Sequence, residues 1–130
     1  MPQPEPSQND IAALFDDWNA ALQTHDPKQV AALYAPDATL LPTLSKEVRQ
    51  SPDAIEDYFT EFLKLSPKGT IVQQNIRIYD PIAINSGVYS FRTKISGKAH
   101  DVAARFTFVY RREPSGWKII EHHSSTMPGA

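Results

Sequence analysis

From Val102 to Arg112 the chain alternates strictly between two sides. Val102, Ala104, Phe106, Phe108 and Tyr110 share one; Ala103, Arg105, Thr107, Val109 and Arg111 share the other. A period of two is the signature of a β-strand, and this run is long enough to commit the neighbouring chain to a sheet. Glu113-Pro-Ser-Gly116 then reads as a turn and Trp117–Ser125 as a last strand. Upstream, Val88–Ile95 is rich in β-formers and ends in the turn Ser96-Gly97-Lys98. Thr70–Tyr79 supplies another strand. Asp80-Pro81 interrupts it, Ile82–Ile84 resumes it, and Asn85-Ser86-Gly87 reads as a further turn. The second half of the chain is therefore an antiparallel meander.

The first half has helical periodicity. Ile11, Leu14, Phe15, Trp18 and Leu22 form one apolar stripe, with Asp16, Asp17 and Asn19 off it. Asp26 is a suitable N-cap and Pro27 a suitable first residue for a short second helix carrying Val30, Leu33 and Tyr34. Ala38–Leu41 reads as a strand closed by Pro42, with a short partner at Glu47–Arg49. Ser51-Pro52 repeats the cap-plus-proline signal, and Ile55, Tyr58, Phe59, Phe62 and Leu63 make the stripe of a third helix. Helices gathered ahead of a meander indicate an α+β fold. The last strands carry large apolar groups on both faces. One face must cover the helices, so the other is expected to meet a second subunit.

A chain of 130 residues, 41% hydrophobic, supports a single core. We expect one domain over residues 9–128 behind a disordered, proline-rich tail at residues 1–8. No apolar run is long enough to span a membrane, and the first residues lack the basic and apolar regions of a secretory signal. There is no cysteine, hence no disulfide and no thiolate chemistry, which fits a cytoplasmic protein. Charge is uneven: residues 1–66 balance to −7 and residues 86–130 to +4. A basic C-terminal half suggests a site for an anion. Nucleic acid is a poor partner for a chain of net charge −2 with no recognisable binding motif.

Two arginines stand among apolar neighbours in mid-strand, Arg92 and Arg105. An arginine inside a domain needs a counter-charge, and its planar fork matches a carboxylate. Asp101 or Glu121 could supply that charge, or a small acidic molecule could. Thr107 shares the Arg105 face and could donate to the same ligand. His122 and His123 point in opposite directions on one strand, so they cannot readily share a metal ion. No metal-ligand spacing is present, and neither a metal nor a cofactor is expected. Trp18 and Tyr58 lie on helical stripes with polar tips that could reach a cavity.

Trp18-Asn19, Tyr34-Ala-Pro-Asp-Ala38, Val88-Tyr-Ser-Phe-Arg92, Arg105–Arg112 and, most specifically, Gly116-Trp-Lys-Ile-Ile-Glu-His-His-Ser-Ser125 carry a family resemblance. Over about Ile11–Pro128 the chain resembles the nuclear-transport-factor-2-like superfamily, and within it the association (hub) domain of calcium/calmodulin-dependent protein kinase II and its stand-alone bacterial relatives. The resemblance implies a cone: a strongly bent antiparallel sheet wrapped around three N-terminal helices, as in cystatin-like folds. It implies self-association as a dimer or larger, and an arginine-lined pocket for a small acid or peptide carboxylate. It sets Arg92 at one pocket-arginine position and His123 at a pocket histidine; Phe108 and Ser124 replace two further arginines. The expected ligand-binding set is thus Arg92, Arg105, His123, Tyr58, Thr107 and Trp18. No kinase motif is present. Superfamily enzymes of the steroid-isomerase and polyketide-cyclase-like kinds suggest an alternative, an isomerase, dehydratase or cyclase using His123 or Glu121 for proton transfer.

Overall fold

The computed structural model describes residues 5–129. Helix α1 spans Gln8–Gln23. Ser7 and Asp10 form a reciprocal capping box at its start, which satisfies two of the free amide donors. The helix thus begins inside the stretch expected as a tail; residues 1–4 of that stretch lie outside the described residues. Helix α2, Pro27–Ala31, carries the expected Asp26 cap on Lys28 N at 3.0 Å. Helix α3, Pro52–Phe62, is capped by Ser51 and runs into a short 3₁₀ turn at Leu63–Leu65. Both long stripes face the core: Ile11, Phe15, Trp18 and Leu22 from α1, and Ile55, Tyr58, Phe59 and Phe62 from α3.

Among the described residues five strands make one sheet: β1 Tyr34–Leu41, β2 Lys68–Tyr79, β3 Ile82–Ile95, β4 Lys98–Glu113 and β5 Gly116–Thr126. Their spatial order is β1-β5-β4-β3-β2. The long strands are antiparallel as expected, but β1 runs parallel to β5, so the sheet is mixed. A hairpin forces antiparallel pairing only on neighbours in sequence. Residues 42–115 separate β1 from β5, leaving either direction open. Tyr34 starts β1 rather than ending the second helix, and the expected partner at Glu47–Arg49 shrinks to a single bridge, Leu40 to Arg49.

Asn85-Ser86-Gly87 is not a turn, because β3 runs straight through it. A Cβ on Gly87 would stand 2.0 Å from the Gln73 carbonyl oxygen, beside the β2 register shift between Ile71 and Gln73. The glycine therefore serves close backbone approach at a bulge. A second shift, between Val109 and Tyr110 of β4 where they meet β5, changes which β5 residues face inward.

Candidate functional site

The floor of the cone holds a chain of buried polar groups. Inward residues of β5 are Ile119, His122 and Ser124, because the irregularity around Ile120 breaks the alternation. The family resemblance set His123 at the pocket position; the bulge gives the inward position to His122. Its ring stacks on Phe108, with centroids 4.0 Å apart, and meets the Trp18 ring edge-on. Trp18 Nε1 donates to Tyr34 Oη at 3.2 Å, and Tyr34 Oη lies 2.7 Å from His122 Nδ1. His122 Nε2 lies 3.1 Å from Tyr89 Oη, which donates to Ser124 Oγ at 2.6 Å. Ser124 Oγ is bonded in turn to Thr43 Oγ1.

These contacts settle the tautomer. Tyr89 gives its one proton to Ser124, so it accepts from His122 Nε2–H. Nδ1 is then the bare nitrogen and accepts from Tyr34, which accepts from Trp18. Every donor has an acceptor only if the imidazole is neutral. Burial, with a smaller push from neighbouring His123, lowers the His122 pKa to about 3. Burial likewise raises the Tyr34 and Tyr89 hydroxyls above their ordinary range. The network is a one-way chain of neutral hydrogen bonds leading from the core toward Thr43.

The expected site residues separate into two groups. Trp18 and Tyr58 are inside; Trp18 belongs to the network, and Tyr58 lies at the mouth with its pKa pushed up to about 12 by burial. Arg92, Arg105, Thr107 and His123 instead lie on the sheet face turned away from the helices, so no interior cavity receives the two guanidinium groups. Phe91 and Thr93 fill the inward positions on either side of Arg92, and Ala104 and Phe106 those beside Arg105. The Arg92 side chain is 69% exposed and pairs at 3.3 Å with Asp101, its neighbour across the strands. Arg105, Thr107 and His123 do gather, with Ser125, around a shallow surface depression of about 160 Å³. Thr107 is the cross-strand neighbour of His123, and Arg105 that of Ser125. Glu121, also weighed as a proton-transfer group, is exposed on the same face.

The interior itself is nearly full. Among the described residues it holds voids of about 20 Å³, one beside Trp18, Tyr89 and His122 and another beside Phe62, Phe91 and Ala104. A cleft of about 290 Å³ opens at the mouth between Leu44, Ser45, Arg49, Tyr58, Glu61, Phe62 and Leu65. Sequence reasoning gave Arg49 only a place at the end of a short strand, Glu47–Arg49; as one of four Lys or Arg residues in the acidic stretch 1–66 it carried no functional signal of its own. Among the described residues no three His, Cys, Asp or Glu side chains gather as a metal site, and no helix is long and apolar enough to cross a membrane.

Helices packed in the hollow of a mixed five-stranded sheet define a cone of the nuclear-transport-factor-2-like, cystatin-like class. Within that class the chain belongs to the calcium/calmodulin dependent protein kinase II association domain family, whose model matches residues 7–128. A crystal structure assigned to that association domain, from Xanthomonas campestris, is 49% identical. It superposes with a TM-score of 0.94, covering 100% of this chain and 95% of the other. More distant structures share the fold alone. One assigned as a dehydratase of the NTF2-like family, from Streptomyces avermitilis, is 13% identical with a TM-score of 0.79, covering 90% of this chain and 94% of that one. Another, assigned as a ketosteroid isomerase from Parabacteroides distasonis, is 20% identical with a TM-score of 0.72, covering 96% and 91%. No curated protein matches the chain.

Proposed function

We propose that this chain is a non-catalytic self-association domain whose copies meet through the outer face of β3, β4 and β5. One observation carries the reading: Arg105 and Glu121 lie on that face, of opposite charge, and neither is in an ion pair among the described residues. They sit diagonally about the Thr107–His123 pair, two residues along β4 in one case and two along β5 in the other. A two-fold axis lying over that pair sets Arg105 of each copy against Glu121 of the other. Such a surface is self-complementary, as an isologous interface requires. Half-buried Ile84, Val88 and Val109 supply the apolar part. On this reading Arg105, Thr107 and His123 serve the contact between copies.

The enzymatic alternative finds less support. Proton transfer near neutral pH needs a group that can hold a proton there. His122, the inward histidine, is engaged on both ring nitrogens and held neutral, and the acidic side chains among the described residues lie outside the core. Charge reversal tests the proposal. Arg105→Glu and Glu121→Arg should each weaken assembly at least about tenfold, and the double variant should restore it. Single variants that assemble like the wild type would refute the placement of the interface.

A further inference from the structure

We propose that the outer-face depression framed by Arg105, Thr107, His123 and Ser125 binds inorganic phosphate, and that the bound ion competes with assembly for Arg105. The competition rests on the self-association reading above; the site itself does not. The register between β4 and β5 builds it. Thr107 stands opposite His123 and Arg105 opposite Ser125, so these side chains occupy the corners of one block on the same face. Strand geometry sets the corners about 5 Å apart across the strands and about 7 Å apart along them. The long side chains, Arg105 and His123, lie on one diagonal and the short ones, Thr107 and Ser125, on the other. Long groups beside short ones leave the depression of about 160 Å³.

Every corner brings a donor. The guanidinium offers a fork matched to two phosphate oxygens, each hydroxyl one proton, and the imidazole at least one N–H. Among the described residues none of these side chains is engaged in a hydrogen bond or an ion pair. The other arginines on the outer face of β3 and β4 differ: Arg92 pairs with Asp101, and Arg111 with Asp37 and Glu113. No carboxylate lines the depression among the described residues. Glu121 lies two residues beyond His123, at the end away from Arg105. Asp101 lies four residues from Arg105, about 13 Å along β4. Organic ligands take pockets from about 300 Å³ upward, so this space suits a free tetrahedral ion. The donors stand on paired strands, which hold their backbone in place better than a loop would.

Assembly uses the same guanidinium. With the two-fold axis over the Thr107–His123 pair, Glu121 of the second copy stands over Arg105 and closes the depression. Carboxylate and phosphate therefore exclude one another. An ion that binds only the free copy weakens assembly by mass action, and each dissociating pair exposes a site on both copies. The general effect of phosphate has the opposite sign, because an excluded salt strengthens apolar burial.

Calorimetric titration of inorganic phosphate into Glu121→Ala, which lacks the competing carboxylate, reads the site alone, with sodium chloride of matched ionic strength as the baseline. Saturable binding with a dissociation constant below about 10 mM is expected. Adding Ser125→Asp, which sets a carboxylate beside Arg105, should abolish it, and so should adding Arg105→Ala. For the unmodified chain, sedimentation in about 30 mM phosphate should show the dissociation constant between copies raised at least about tenfold over matched chloride. No saturable binding to Glu121→Ala below about 10 mM, or binding that survives both further substitutions, would overturn the site. Phosphate bound by an assembly that does not loosen would overturn the competition. Phosphate bound by a chain that sediments as a monomer in chloride would leave the site standing and overturn the self-association reading instead.

Discussion

The neutrality of His122 makes the fold sensitive to acid in a calculable way. Its pKa is about 3 in the folded protein and 6.5 in an unfolded chain. Between those values the unfolded state binds the extra proton, so stability must fall as pH falls. The contribution is complete above pH 6.5 and is lost progressively down to about 3. Each pH unit well inside that window is worth about 1.4 kcal/mol, so acidification from pH 7 to pH 4 should remove roughly 3 kcal/mol through this residue. Protonation would also put a second proton on Nδ1, where Tyr34 already donates, and break the chain of hydrogen bonds at its centre. Urea titrations at intervals between pH 7 and pH 4 measure the loss. His122→Gln should start less stable but lose clearly less over the same range. An NMR titration should find His122 in the Nε2–H tautomer throughout. A wild-type stability flat to pH 4, a variant with the same slope, or a His122 resonance titrating near pH 6.5 would refute the argument.

Other consequences are local. Tyr110 Oη is buried without a partner, so Tyr110→Phe should leave stability unchanged or raise it by about 1 kcal/mol in chemical denaturation. Tyr34→Phe removes the same atom where it has two partners, Trp18 and His122, and should cost about 2 kcal/mol. Equal effects from the two would show that the network does not stabilise the core. Gly87→Ala brings a methyl group against the Gln73 backbone and should cost at least about 2 kcal/mol; a neutral result in urea denaturation would contradict the close approach.

The helices and the long strands were legible because each buries one face, and burial stamps its period on the chain. The α1 and α3 stripes and the Ser51 and Asp26 caps are where periodicity and capping chemistry put them. The β4 alternation likewise puts Ala104, Phe106, Phe108 and Tyr110 inside. What escaped depends on the registry between strands, which one strand's pattern does not contain. A bulge near Ile120 exchanged His122 for His123, and another let Gly87 lie within a strand instead of a turn. Arg92 and Arg105 sit among apolar neighbours in sequence, yet those neighbours turn inward and the arginines outward. Arg49 was invisible for a different reason. The short strand expected around it shrinks to one bridge, and its guanidinium is ordered by contacts with Ser45 and with Ala54 and Asp57 of α3, which its own sequence neighbours do not announce.

The most direct test of the central claim is sedimentation equilibrium of the unmodified chain at micromolar concentration. A face that buries at least about 1,000 Å² between copies is enough for a stable assembly in that range. The expected mass is at least twice 14.6 kDa, falling on charge reversal at Arg105 and recovering when Glu121 is reversed as well. A single species of 14.6 kDa would contradict it.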